Sequence, residues 1–432
     1  FSIQQKLYIC FKFKIVSKSL ISQSFSQSLQ QQNLQTFIAQ NQAKVNLKGL
    51  VGSSLSFVVS NCFKQAEKPF LLIFNDKEEA AYFLNDFENL LDEKDVLFYP
   101  GSYRRPYQIE ETDNANVLLR AEVLSRINSR RKPALIVTYP DALFEKVVTR
   151  KELERHTLNI SVNDNLTIDF INEVLFEYKF KRVDFVTEPG EFSVRGGIVD
   201  VFSFSHDEPY RIEFFGDDVD SIRTFDVETQ LSTNHIKKIG IIPNVADKLL
   251  DEQRQSFLKY IAQKTVVFTK NLNHISSRID KLFAKANESF SQLSETIKHA
   301  EPNELFCNSE LIKKQLLDFL VIEFGAEAFL SKEKIQFNTS PQPSFNKNFD
   351  LLINNLNENY KDGFKNYICC VSEQQAKRFH DIFNDVEQEV HYKTVVLSLH
   401  QGFVDNNQKI VCYTDHQIFE RYHKFQLKNG YA

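Results

Sequence analysis

The chain has 432 residues, of which 42% are hydrophobic and 25% charged, and a formal net charge of −5. That composition excludes global disorder, because the apolar side chains suffice to build cores. A pI near 6.1 argues against a protein whose main task is to grip nucleic acid nonspecifically. Glycine is scarce at 12, Phe is overused at 40, and Met and Trp are absent, so a chain beginning at Phe1 reads as a fragment of a longer protein. The cysteines Cys10, Cys62, Cys307, Cys369, Cys370 and Cys412 form no CxxC pair. They read as reduced, buried thiols, and neither a disulfide scaffold nor a metal site is expected. No run of about 18 apolar residues is present, so no membrane partner and a cytoplasmic location are expected.

Residues 1–43 interrupt short apolar runs with Lys12, Lys14 and Lys18 and then become Gln/Ser-rich, which reads as a poorly ordered or helical lead-in. From residue 44 the pattern is α/β. Val45–Leu50, Phe70–Phe74, Val96–Tyr99 and Ala134–Thr138 read as strands. Apolar spacing predicts helices to about Phe63, over Lys77–Leu91 and over Asn114–Arg130. Alternating strands and helices imply a parallel sheet covered on both faces. Residues 151–232 change to short alternating segments, with Tyr210–Phe215 and Val219–Phe225 flanking the turn Gly216-Asp217-Asp218, and read as an inserted β-rich domain. The α/β pattern resumes over 233–337, with a strand at Thr265–Phe268, helices at Ile275–Leu282 and Leu311–Phe319, and a last strand at Ile335–Phe337. Residues 338–346 read as a linker, and 347–432 as a small α/β domain with strands Tyr367–Val371, Thr394–Leu399 and Lys409–Tyr413.

Gly49-Leu50-Val51-Gly52-Ser53-Ser54-Leu55-Ser56 lies between a strand and a helix, where a phosphate loop of pattern GxxxxGK[ST] belongs. Gly49 and Ser56 fit, but Ser54 stands for the second glycine and Leu55 for the lysine that would hold the β- and γ-phosphates. The loop reads as vestigial, with a plain Gly/Ser turn as the blander alternative, and no nucleotide or metal cofactor is expected for this chain. No apolar strand ending in Asp-Glu supplies the second metal-binding motif. His391, His400, His416 and His423 lack metal-ligand spacing and read as surface or capping residues. Arg104-Arg105 and Arg130-Arg131-Lys132 read as solvated basic loops, and Glu110-Glu111 as part of a helix cap. No catalytic residue set is defended.

In the insert, Arg182, Arg195 and Arg211 are expected on one exposed face beside Phe202 and Phe204, a mixture of basic and aromatic residues enriched at protein interfaces. Arg211 is alternatively a cross-strand partner of an acid such as Asp220, and Phe202 alternatively a core residue. The ordered segments Arg182-Val183-Asp184, Val194-Arg195-Gly196-Gly197-Ile198-Val199-Asp200-Val201-Phe202 and Arg211-Ile212-Glu213-Phe214-Phe215-Gly216-Asp217-Asp218 resemble the UvrB-type interaction domain. With Val96–Pro106, Ile136–Lys146, Asp226–Gln230 and Thr414–Arg421, the chain from about residue 44 resembles the N-terminal UvrB-like module of the bacterial transcription-repair coupling factors, the Mfd family, in its Bacteroidetes form.

The resemblance implies a degenerate helicase-like domain with an inserted UvrA-binding domain. It implies a noncatalytic adaptor that brings UvrA to stalled RNA polymerase in nucleotide excision repair. ATP, magnesium, DNA and RNA polymerase would belong to the motor and other parts of a longer parent, and a monomer is expected. Carried to matching positions, the UvrA contacts are Arg182 and Arg195, with Phe202 and Arg211 as candidate neighbours and Ser193 where UvrB often has a further arginine. The alternatives are an active UvrB-type nucleotide-dependent repair enzyme, or an autoinhibitory structural module of the parent chain.

Overall fold

The computed structural model describes residues 17–39, 44–102, 114–128, 132–204, 206, 208–243, 253–293 and 300–421. Arg104, Arg105, Glu110, Glu111, Arg130, Arg131 and His423 lie outside the described residues.

A seven-stranded sheet forms the main domain. Its strands run in the order Glu333–Gln336, Lys44–Lys48, Leu320–Phe324, Val266–Thr269, Phe70–Ile73, Leu135–Thr138, Val96–Tyr99. Every pairing is parallel. Strand alternation splits its side chains between two cores. Phe70, Leu72, Phe98, Val137, Phe268 and Ile322 face one layer, and Leu71, Ile73, Tyr99, Ile136, Val267 and Val321 face the other. Burial on both faces is why these strands read as unbroken apolar runs.

The strand Leu320–Phe324 was not expected, because the helical reading of 311–319 ran straight up to it; the helix ends at Leu316. The helix expected over Ile275–Leu282 runs from Leu272 to Ser291.

The lead-in is more than a loose segment where it is described. Helices Ser19–Ser26 and Leu29–Ala39 place Ile21, Phe25, Leu34 and Ile38 in the main core, at the helical spacing that the Gln/Ser background hides. Buried Gln31 donates its side-chain amide to the Val58 carbonyl (3.1 Å). The expected linker is ordered too. Thr339–Pro341 is a strand of the small domain, whose sheet continues through Phe403–Asp405, Ile410–Thr414, Lys365–Cys370 and Lys393–Val396.

The insert is a six-stranded sheet with its own core. The strands are Ser232–His235, Asp218–Phe225, Tyr210–Phe215, Ile198–Val201, Glu191–Arg195 and Lys181–Arg182. A root pair, Leu158–Ser161 antiparallel to Lys238–Ile241, closes it and carries the insert past the boundary expected at residue 232. Helix Ile168–Glu177, capped by Thr167 Oγ1 accepting from Phe170 N–H (3.1 Å), packs Ile171 and Leu175 into this core. The remaining tie to the main domain includes Val117 and Ala121 of helix Asn114–Asn128.

Candidate docking face and candidate phosphate loop

The register of the inserted sheet sorts its residues into two faces. Phe192, Val199, Val201, Tyr210, Ile212 and Ile222 point into the insert's core. The opposite face carries Ser193, Arg195, Asp200, Arg211, Glu213, Ser221 and Arg223, which the register sets side by side. An antiparallel sheet with one wetted face is built this way.

Asp200 organises that face. It is fully buried (0% exposed) and pairs with Arg195 Nη2 at 2.5 Å and with Arg211 at 2.7 and 2.9 Å. Arg211 also donates to the Gln230 carbonyl (3.1 Å) and lies 4.6 Å from the centre of the Phe225 ring. The hydrogen bonds to Asp200 raise the pKa of Arg211, which stays charged. The partner of Arg211 is therefore its cross-strand neighbour Asp200 and not Asp220. Arg223 pairs with Glu213, which also accepts from Ser221 Oγ (2.7 Å). Arg195 is the more open arginine of the Asp200 pair, with 43% of its side chain exposed, against 15% for Arg211. Its guanidinium lies 5.3 Å from the centre of the Phe185 ring, which is 60% exposed.

Two expectations about this face are corrected. Phe202 and Phe204 are not surface aromatics. Phe202 is 0% exposed and packs with Val186 and Phe225 in a small core of its own, and Phe204 is buried in the main core of the insert. Alternation could not show this, because the segment around Val186 folds back over the sheet from outside the strands. Arg182 is exposed, but its register partner is Phe192, whose ring meets Phe176 of helix Ile168–Glu177 edge-on at 5.2 Å. Strand alternation thus assigns Arg182 to the helix side and Arg195 to the open face. Ser193 is buried and donates to the Asp184 carbonyl (3.2 Å). Phe185 and Arg223 were missed. A lone Phe between Asp184 and Val186, and an arginine inside a hairpin strand, carry no distinct sequence signal.

The loop at Gly49–Ser56 is a crowded place. Gly49 (φ +76°) and Gly52 (φ +56°) take the left-handed conformations that glycine permits. Leu55 is buried, and Ser53, Ser54 and Ser56 are fully buried. Ser54 Oγ donates to the Val51 carbonyl (2.7 Å), closing the turn on itself. Ser56 Oγ, at the position that would ligate magnesium, donates to Asp86 Oδ2 (2.8 Å).

The small domain reaches in from the other side. Ser53 N–H donates to the Gln401 carbonyl (3.1 Å), and Gln401 N–H donates back to Ser53 Oγ (3.2 Å). His400 N–H donates to Asp86 Oδ1 (2.7 Å), and His400 Nδ1 lies 2.7 Å from Asp86 Oδ2. His400 and His416 are therefore interface residues and not surface ones, His416 Nε2 lying 3.1 Å from the His400 carbonyl oxygen. Burial lowers the pKa of His416.

The strand beside Lys44–Lys48 carries a buried carboxylate, Glu323. Its oxygens accept from the amides of Phe329 (2.7 Å), Leu330 (3.0 Å) and Ser331 (2.8 Å). A cleft of about 670 Å³ beside the loop is lined by Leu55, Asp76, Glu79, Lys270, His400 and Arg421 among others. Among the described residues no helix is long and apolar enough to cross a membrane.

Comparison with known families bears on the insert directly. The model of the UvrB interaction domain matches residues 158–246, from the root strand to just past its partner. The insert is of the UvrB interaction type. The chain is also similar to curated transcription-repair-coupling factors. It is 32% identical to that of Bacillus subtilis over 198 residues, which is 46% of this chain and 17% of the relative. The Myxococcus xanthus protein is 30% identical over 219 residues (49% and 18%), and a Staphylococcus aureus protein 29% over 219 (50% and 18%). The match spans less than a fifth of the length of these relatives. The expected UvrB-like module is thus supported both by the domain match and by the named relatives.

Proposed function

We propose that the chain is the adaptor part of a transcription-repair coupling protein, and that it recruits UvrA through the open face of the inserted sheet. The observation that carries this reading is the Arg195–Asp200–Arg211 cluster inside a UvrB-type interaction domain. Lys181, Arg195, Arg211 and Arg223 share the face with three carboxylates, Glu191, Asp200 and Glu213, so the face keeps a surplus of one positive charge, which suits an acidic partner. Asp200 and Arg211 are the buried support. Arg195 is the group that a partner carboxylate can reach, and Phe185 is the exposed ring beside it. In this reading the chain catalyses nothing itself, and nucleotide hydrolysis, DNA and RNA polymerase contacts belong to the rest of a longer parent.

Gel filtration of the purified chain with UvrA tests the proposal. Co-elution is expected, and Arg195→Glu is expected to weaken it by about 2–5 kcal/mol, because a charge pair at the contact becomes a repulsion. Failure of the unaltered chain to co-elute, or undiminished binding by a folded Arg195→Glu variant, would sink the docking face. Arg182→Glu separates the two sides of the sheet, and is expected to weaken binding less than Arg195→Glu.

A further inference from the structure

A helicase-like parallel-sheet domain takes its nucleotide at the loop after the first strand, where backbone amides and a lysine receive the phosphates. The residues at that place in this chain do not fit a phosphate. We infer that segment 400–402 of the small domain is a built-in plug that holds the anion position of the relic loop. The loop is thereby closed to nucleotides whether or not its lysine is present, and serves instead as the socket for the small domain.

Three observations converge on this. Ser53 N–H, at the start of helix Ser54–Ala66, is taken by the Gln401 carbonyl at 3.1 Å. A carbonyl oxygen with its partial negative charge sits at the positive end of the helix, where a phosphate oxygen would sit. Next, Gly52 allows two backbones to meet. A Cβ on Gly52 would lie 2.9 Å from the Gly402 carbonyl oxygen. The close approach that phosphate loops keep for their ligand is here used for the chain's own backbone. Last, the hydroxyl of Ser56 faces Asp86, a fully buried carboxylate also held by the His400 amide and 2.7 Å from the His400 ring nitrogen. The Ser56 hydroxyl and the His400 amide are thereby engaged within the chain. The plug is also seated by packing, since the Phe403 ring meets Phe57 of the loop's helix and Phe25 of the lead-in, each at 5.8 Å.

The experiment has two arms. The double variant Ser54→Gly with Leu55→Lys reinstates the missing glycine and lysine. With the plug in place it is expected to show no thermal shift on adding ATP and magnesium. Stabilisation of that variant by ATP overturns the inference. In the second arm, amide hydrogen exchange is followed in the otherwise unaltered chain carrying His400→Gln, and separately in Asp86→Asn, which keeps the shape of the carboxylate. Both are expected to speed exchange at residues 50–57 and 399–403 together, by about tenfold, because the two segments open as one unit. Strands Phe70–Ile73 and Val266–Thr269 of the main sheet are expected to keep their protection, which reports that the main domain remains folded. Unchanged exchange at 50–57 in both variants overturns the plug. Neither arm involves UvrA, so the outcome is independent of the docking proposal.

Discussion

The open face of the insert and the loop at Gly49–Ser56 each centre on one fully buried carboxylate, Asp200 and Asp86, and they end in opposite states. On the insert, one buried carboxylate, Asp200, serves two arginines and leaves Arg195 with 43% of its side chain in solvent. At the loop, one buried carboxylate, Asp86, is surrounded by Ser56 and His400, and the loop's first free amide is taken by Gln401. The first arrangement keeps a cation available for something outside the chain, and the second consumes its polar groups within the chain. What separates the proposed docking surface from the structural joint here is whether a second domain of the same chain already covers it.

The sharpest way to break this comparison is at Asp200. Asp200→Ala leaves Arg211 partly buried without its carboxylate, and is expected to destabilise the insert by about 3–5 kcal/mol. Urea unfolding followed by hydrogen exchange should place that loss in residues 158–243 and leave the main sheet unaffected. A smaller loss is expected at the loop. A Cβ at Gly49 would lie 2.1 Å from the Phe337 carbonyl oxygen, at a positive φ. Gly49→Ala should therefore cost about 1–3 kcal/mol or more, read as a lower urea midpoint of the main domain. On the open face, Phe185→Ser removes the ring beside Arg195. It should weaken UvrA binding by about 0.5–1 kcal/mol, with little change in stability, by titration calorimetry.

The smallest effect is a pH dependence of the joint. Burial holds the pKa of His416 below its ordinary 6.5, so the folded state disfavours the charged ring. The stability this lends is fully present above pH 6.5 and is lost as the pH falls through the folded pKa. The groups around the ring include His400, Asp86 and Asp415, and His416→Gln should flatten the acid side of a melting-temperature profile.

Sequence alone carried most of the main sheet because strands such as Phe70–Ile73, Val96–Tyr99 and Leu135–Thr138 are apolar runs, and it carried the hairpin because alternation surrounds Gly216. It missed Leu320–Phe324, where the apolar residues of a helix and a strand follow one another with no breaker between Leu316 and Leu320. It identified Arg195 as a candidate contact but left Phe202 open between contact and core, because burial there depends on Val186, outside any strand. Arg182 was grouped with Arg195, although a two-residue edge strand fixes it on the other side. The joint at the loop was illegible for a simpler reason. Ser53 and Gln401 are hundreds of positions apart, and neither carries a mark of the other.

The root of the insert has a mechanical meaning. Leu158–Ser161 and Lys238–Ile241 lie antiparallel, with Ile160 opposite Ile239, so the chain enters and leaves the insert through one narrow neck. The neck is not the sole connection, because Val117 and Ala121 of helix Asn114–Asn128 pack into the insert's own core. The direction in which Arg195 points is therefore braced at two places, the neck and that helix.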